Sequence, residues 1–142
     1  MKLVIDASVA VKWFFSDDPA EQDTGKAVEL LMGLSQGRYE IYQPAHWLVE
    51  VYAVIVRRSA ANAAQEALGI LHALELDVVD HLAIHELAGA LAQQYQHHLF
   101  DTLYHAVALE TDSLLITADE KYWQKAKAHG HIELLQNLKL KP

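Results

Sequence analysis

The stretch Leu3-Val4-Ile5-Asp6 decides the fold class, because a short apolar run is typical of a strand buried in a parallel sheet. Further strands are predicted at 39–43, 76–79, 114–117 and 132–135. Between the strands, the spacing of apolar residues predicts helices at about 21–36, 44–58, 60–74, 81–98, 100–111 and 120–129. Strands that alternate with helices need crossover connections. The sequence therefore predicts an α/β fold with a mainly parallel sheet of four to five strands, covered on both faces.

Composition favours one domain over residues 1–142 and excludes several classes of protein. The chain is 52% hydrophobic, so it is not a disordered acidic segment. It has 11 Lys and Arg against 19 Asp and Glu, a formal net charge of −8, which argues against a generally basic nucleic-acid-coating surface. The absence of cysteine excludes a disulfide framework, a thiolate zinc site and a cysteine nucleophile.

Targeting and membrane signals are weak in this sequence. The apolar run before Asp6 is too short for a signal peptide. No apolar run approaches the roughly 18–20 residues of a membrane helix. We therefore expect a cytoplasmic protein that does not associate with membranes.

Four carboxylates lie in or directly after uncharged, largely apolar stretches of the sequence. They are Asp6, Glu50, Asp101 and Asp119. A buried carboxylate costs several kcal/mol unless a cation, hydrogen bonds or a proton compensates it. Only Asp119 has a basic residue close by in sequence, at Lys121. Each acid alone has an ordinary explanation, since an Asp at the end of a strand often just caps the next helix. The four together favour a divalent cation.

Oxygen ligands suit Mg²⁺, with Mn²⁺ as a substitute. Carboxylates that hold one or two such ions are common equipment for the hydrolysis of phosphodiesters. Because functional groups of open α/β sheets collect at the carboxyl ends of the strands, Asp6 and Asp119 are expected to share one site.

Four motifs, in order along the chain, resemble those of the PIN-domain family and in particular its VapC-type toxin ribonucleases. The motifs are Val4-Ile5-Asp6-Ala7-Ser8-Val9, the helical segment Pro44–Val51 with Glu50, the segment Phe100–Ala108 with Asp101 and Tyr104, and Leu115-Ile116-Thr117-Ala118-Asp119. Two positions depart from the family pattern. Ala53 stands where an Asn is common, and His105 stands where an aliphatic residue is more usual.

The resemblance implies a PIN-like three-layer α/β/α domain with the activity of a Mg²⁺- or Mn²⁺-dependent endoribonuclease. It further implies an RNA substrate, a cognate antitoxin that silences the enzyme, and a homodimer. Asp6 and Asp101 would be the central metal ligands, with Glu50 and Asp119 completing the pocket. Thr117 and Ser8 would orient a carboxylate or a water.

Basic residues that could contact RNA phosphates are few. The candidates are Lys12, Arg38, Arg57, Arg58 and Lys121. The nine histidines do not predict a zinc site, because His81 and His85 share a helical face without a third ligand. His97, His98 and His105 are close to Asp101 in sequence and could touch a substrate phosphate, but we expect them to be polar surface residues.

Two other interpretations of the acids remain open. One is a PIN-like scaffold for RNA processing or partner binding that lacks nuclease activity. The other is an aspartate-based phosphohydrolase or receiver-like domain, which needs a second acid two residues after the first or a late lysine. Ser8 occupies the former position, and only Lys121 follows a late strand.

Overall fold

Five parallel strands form the sheet, in the order β3-β2-β1-β4-β5. The structure is a computed structural model and describes residues 1–140. The strands are β1 (Lys2–Ile5), β2 (Glu40–Gln43), β3 (Asp77–Val78), β4 (Leu114–Thr117) and β5 (Ile132–Leu134). The predicted parallel sheet is confirmed.

In the described residues, seven α-helices connect these strands: α1 (Ala7–Ala10), α2 (Thr24–Ser35), α3 (Trp47–Arg58), α4 (Ala61–Ala73), α5 (Leu82–Tyr95), α6 (Leu99–Thr111) and α7 (Glu120–Ala126). The short helix α1 was not predicted. Helix α5 ends three residues earlier than expected because Gln96 adopts a left-handed conformation with φ of 49°. That residue places His97 and His98 in a loop between α5 and α6. Within residues 1–140, none of the helices has both the length and the apolar character of a membrane span.

Strand β1 lies at the centre of the sheet and is covered on both faces. Leu3, Val4 and Ile5 point alternately to the two faces, and each is at most 1% exposed. Helix α6 packs against β1, β2 and β4. A strand buried on both sides needs helices on both sides, as the predicted three-layer α/β/α arrangement requires.

The chain reverses its direction across the sheet at β1. It moves from β1 outward through β2 and β3, and then returns past β1 to β4. The carboxyl ends of β1 and β4 are thus neighbours, with Ile5 beside Ile116 in the ladder. Such a reversal leaves a crevice at the carboxyl ends of the two strands, which is where α/β folds place their sites.

The side chain of Gln43 extends the ladder between β1 and β2. Its Oε1 accepts a hydrogen bond of 2.8 Å from the Ile5 N–H, and its Nε2 donates one of 2.9 Å to the Ile5 carbonyl. Gln43 is fully buried, so no water can replace these bonds. The amide therefore fixes the last residue of β1, directly before Asp6.

We predict that Gln43→Met lowers the free energy of unfolding by about 2–4 kcal/mol, because a buried N–H and a buried C=O are left without partners. Urea unfolding measures this change. The matched control is Gln93→Met on the exposed face of α5, which should change stability by less than about 0.5 kcal/mol. Equal stability of the two variants would contradict the role given to Gln43.

Candidate functional site

The four predicted carboxylates line one hollow at the carboxyl end of the sheet. The hollow has a volume of about 430 Å³, and Ser8 is also in its wall. Asp6 directly follows β1, and Asp119 directly precedes α7. Glu50 and Asp101 lie in the first turns of α3 and α6. Four separate elements thus bring their acids to a common space.

Asp6 is the most deeply buried of the four acids, at 8% exposure. Its Oδ2 accepts hydrogen bonds from the Ser8 N–H (3.2 Å), from the Ser8 hydroxyl, and from the Thr117 hydroxyl (3.3 Å). The pKa of Asp6 is raised to about 7, chiefly by burial; hydrogen bonds from Ser8 oppose the rise, and the charges of Asp101 and Glu50 add to it. The fold thus holds a carboxyl group whose charge is poorly compensated.

Two hydroxyl groups tie Asp6 to the segment after β4. The Ser8 hydroxyl donates to Asp6 and accepts the Ala118 N–H at 3.0 Å. The Thr117 hydroxyl donates to Asp6 and accepts the Asp119 N–H at 3.0 Å. Ser8 and Thr117 therefore contact the Asp6 carboxylate and the backbone beside Asp119 at once, which fixes the two strand ends relative to each other.

Asp119 caps α7 and still presents an oxygen to the site. Its Oδ1 accepts the Tyr122 N–H at 3.1 Å, as expected of a helix N-cap. Its Oδ2 lies 3.4 Å from Nε2 of His97. Helix capping and a role in the site are compatible for this residue because its two oxygens face different groups.

Glu50 is in contact with His46, one helical turn earlier. The distance from Glu50 Oε2 to His46 Nε2 is 3.0 Å, and the same ring nitrogen lies 2.8 Å from the Phe100 carbonyl. The ring of Tyr104 packs 4.9 Å from that of His46, centroid to centroid. Burial, together with the charges of Asp6 and Glu50, raises the pKa of the Tyr104 hydroxyl. Tyr104 therefore stays neutral beside the acids.

Asp101 faces the loop between α5 and α6. Its Oδ2 lies 3.1 Å from Nε2 of His97, whose side chain is only 8% exposed. Burial raises the pKa of Asp101, Glu50 and Asp119 raise it further, and His97 and His98 lower it. A second hollow adjoins the four-acid hollow here, and its lining includes Asp101, Asp119, His97 and Lys121.

The five candidate RNA-binding residues lie in different environments. Lys12 is 6% exposed and pairs with Glu21 at 3.0 Å. Arg58 pairs with Glu21 and with Asp18, so both cations at this rim of the hollow are neutralised within the chain.

The other three candidates are exposed. Lys121 lies beside the acids. Arg57 is in the last turn of α3. Arg38 precedes β2, at the amino end of the sheet and therefore away from the site.

The expectation that the histidines near Asp101 are surface residues is wrong for two of them. The His97 ring is buried against the acids. His105 is fully buried: its Nδ1 lies 2.7 Å from the Tyr122 hydroxyl and its Nε2 lies 2.8 Å from the Gly130 carbonyl. Burial lowers the pKa of His105, so it is a neutral core residue that joins α6 to the region after α7. His98 is exposed as expected.

Sequence reasoning missed His46 and His97 as parts of the site. Each precedes an acid by four residues, a spacing that places two side chains on one face of a helix. The helical argument holds for the first pair, because His46 is the N-cap of α3 and its carbonyl accepts the Glu50 N–H at 3.0 Å. It does not hold for the second pair, because His97 lies before His98, the N-cap of α6. The spacing is a usable signal in both cases.

Unsatisfied polar atoms concentrate at this site. Within residues 1–140, the buried side-chain N and O atoms without a hydrogen-bond partner are His46 Nδ1, His97 Nε2 and the Tyr104 hydroxyl. All three belong to residues that contact or surround the acids, whereas such atoms are rare in protein interiors. Carboxylate oxygens coordinate divalent cations, their negative charge attracts such an ion, and buried polar atoms that lack hydrogen bonds can bond to its water molecules. The residues present therefore fit a metal site.

Because the pKa of Asp6 is raised in the folded protein, the free energy of unfolding of the metal-free protein should depend on pH. Between pH 4 and 7 an unfolded Asp6 ionises while the folded one keeps its proton, so stability falls as the pH rises, and above pH 7 the decrease is complete. Asp6→Asn keeps an acceptor for Ser8 and cannot ionise. In EDTA, we expect its stability advantage over the wild type to increase between pH 5 and 8 by an amount on the order of 2–4 kcal/mol.

Thermal unfolding at several pH values measures this difference. The control is Asp112→Asn, because the Asp112 side chain is 91% exposed and its left-handed backbone suits Asn. A constant difference between Asp6→Asn and wild type across this pH range would contradict the uncompensated burial of Asp6.

Comparison with known proteins identifies the family. Residues 3–128 match the family model of the PIN domain. No curated protein sequence matches the chain significantly.

Solved structures with the same fold have low sequence identity to this chain. The toxin VapC20 of Mycobacterium tuberculosis, described as cleaving the sarcin–ricin loop, has a TM-score of 0.68 at 18% identity over 90% of this chain and 95% of its own. A toxin–antitoxin complex from Klebsiella pneumoniae has a TM-score of 0.66 at 16% identity over 94% and 97%. VapBC-1 of nontypeable Haemophilus influenzae has a TM-score of 0.67 at 14% identity over 96% and 100%. On the family match over most of its length, the chain belongs to the PIN-domain family.

Proposed function

We propose that this protein is a divalent-metal-dependent endoribonuclease, and that it is the toxin of a toxin–antitoxin pair. The observation that carries the proposal is the set of four carboxylates around one hollow, with orphaned buried polar atoms beside them. The structural resemblance to VapC20 and to toxin–antitoxin complexes supports the same activity.

In this proposal Asp6 and Asp101 hold the cation, and Glu50 and Asp119 complete the site directly or through water. When bound, Mg²⁺ or Mn²⁺ lowers the pKa of water and neutralises the negative charge that develops on the phosphate. Ser8 and Thr117 keep Asp6 in one orientation through their hydroxyl groups. Because these hydroxyls are also held by the backbone after β4, the carboxylates need little rearrangement before the reaction.

The alternative of an aspartate-based phosphohydrolase has less support. Such enzymes need a second acid at the position of Ser8, whose hydroxyl here donates to Asp6. The alternative of a scaffold without catalysis differs from our proposal in one measurable respect, which is turnover that depends on added Mn²⁺ or Mg²⁺.

We further propose that an antitoxin covers the hollow and that the chain forms a homodimer. An exposed apolar residue immediately precedes two of the acids in sequence. Val49 precedes Glu50 and is 67% exposed, and Phe100 precedes Asp101 and is 62% exposed. The Phe100 ring lies 5.5 Å from the ring of His46, which contacts Glu50, so a protein segment that buried Phe100 would lie at the edge of the site. This supports inhibition by direct occlusion.

Substitution of the central acids tests the nuclease activity. We expect Asp6→Asn and Asp101→Asn to lower metal-dependent RNA cleavage by about 100-fold or more, because each removes a charge that holds the cation. The assay is cleavage of total RNA in Mg²⁺, Mn²⁺ or EDTA. Asp112→Asn, an exposed acid away from the site, should retain wild-type cleavage. Full cleavage by Asp6→Asn or in EDTA would contradict the proposal.

Lys121 is the exposed cation that we propose binds the RNA backbone near the acids. In an Asp6→Asn background, Lys121→Glu should weaken RNA binding and lower the slope of log K against log salt by about 0.7 for each phosphate that the lysine neutralises. Arg38→Glu is the matched control, because Arg38 lies at the opposite end of the sheet. A larger effect of Arg38→Glu than of Lys121→Glu would place the RNA path elsewhere.

A further inference from the structure

A second group of metal-ligand atoms lies next to the four-acid hollow and includes a nitrogen. Nε2 of His97 and one carboxylate oxygen each from Asp101 and Asp119 all lie within 4.8 Å of one another. No other trio of His, Asp or Glu side chains in the described part of the chain is as closely grouped. Asp101 and Asp119 also line the four-acid hollow, so the two groups share a wall.

The orientation of the His97 ring fits a shared ion better than a hydrogen bond. Nε2 is 3.1 Å from Asp101 Oδ2 and 3.4 Å from Asp119 Oδ2, yet it makes no hydrogen bond to either. Two ligand atoms that each lie about 2.1 Å from one ion, at octahedral or tetrahedral angles, are about 3.0–3.4 Å apart and point at the ion. The two distances fit a ligand set, and the lack of an aligned hydrogen bond favours it over a simple pair of His97 with one carboxylate.

The His97 side chain is independent evidence for a ligand. It is 92% buried, since 8% of its surface is exposed, and its Nε2 makes no aligned hydrogen bond although it faces two carboxylates. An unpaired buried ring nitrogen is costly to keep, and a cation at this point would satisfy it. The ring itself is held in place by packing on Tyr122, with centroids 4.7 Å apart.

The backbone places His97 here through an uncommon conformation. Gln96 ends α5 with a positive φ, and the His97 N–H returns to the Ala92 carbonyl at 3.0 Å. The loop thereby turns His97 toward α6 and α7 rather than continuing along α5. The position is specific, because His98, the next residue, remains exposed.

We propose that His97, Asp101 and Asp119 form a cation subsite with a mixed nitrogen and oxygen donor set, which prefers Mn²⁺ and other first-row transition ions over Mg²⁺. Imidazole is a better ligand for transition ions, whereas Mg²⁺ takes oxygen ligands almost exclusively. The inference rests on the proposed function in that the subsite shares Asp101 and Asp119 with the proposed nuclease site.

Lys125 must adjust when a cation binds, because it contacts the same ring. Its Nζ lies 3.4 Å from Nδ1 of His97 and 3.2 Å from the Gln96 carbonyl. A neutral ring that binds a cation through Nε2 carries its proton on Nδ1, so Nδ1 can no longer accept a hydrogen bond from Lys125. The Gln96 carbonyl then remains as the partner of Lys125.

The test is electron spin-echo spectroscopy of Mn²⁺ added to metal-free protein in the absence of RNA. We expect ¹⁴N modulation from a directly bound imidazole in the wild type and in His98→Gln, and none in His97→Gln. Titration should show Mn²⁺ affinity lower by about 10-fold or more in His97→Gln, with a smaller change for Mg²⁺. Circular dichroism verifies that the variants are folded.

Three outcomes would overturn the subsite: no ¹⁴N modulation in the wild type, modulation that persists in His97→Gln, or disappearance of modulation in His98→Gln instead. The experiment is separable from the nuclease assay. Cleavage of RNA without nitrogen coupling would refute the subsite alone, and nitrogen coupling without cleavage would refute the proposed function alone.

Discussion

The structure of the site depends on the burial of the Asp6 carboxyl group at the carboxyl end of the central strand. Desolvation disfavours its charge, and three further acids line the same hollow, two of which raise its pKa. Hydroxyl donors from Ser8 and Thr117 compensate part of this cost. They reach Asp6 only because β4 lies beside β1 at the point where the sheet reverses direction. The strand order is therefore a requirement of the site as well as of the core.

Rigid elements, rather than loops, position most of the acids. The Gln43 amide fixes the end of β1, and Thr102 joins α6 to α5 through a hydrogen bond of 2.8 Å to the Ala88 carbonyl. Asp6 and Asp119 are both helix N-caps, bonded to the N–H groups of Ser8 and Tyr122. The ordinary explanation of a strand-ending Asp and its functional one are compatible here, since capping uses only part of the carboxylate's bonding capacity.

Sequence reasoning predicted the parts of this architecture that depend on local pattern. Apolar runs predicted all five strands, and charge isolation singled out the four acids that the fold brings together. It failed where partners are distant in sequence. Arg58 is neutralised by Asp18 and Glu21, which lie 40 and 37 residues away, so its availability for RNA could not be judged from the helix that carries it. His97 was misjudged because a single left-handed residue, Gln96, ends α5 before it.

The distribution of unsatisfied atoms separates this site from an ordinary buried polar cluster. A cluster kept for stability would pair its members, because each orphaned buried group costs about 1–3 kcal/mol. Here His46, His97 and Tyr104 each have a buried polar atom that makes no aligned hydrogen bond, beside carboxylates whose charges repel. Protonation of Asp6 would relieve the repulsion but would leave those atoms unpaired. Under the proposed function, a hydrated cation would do both: its charge would stabilise the carboxylates, and its water shell would offer hydrogen-bond partners to the buried polar atoms.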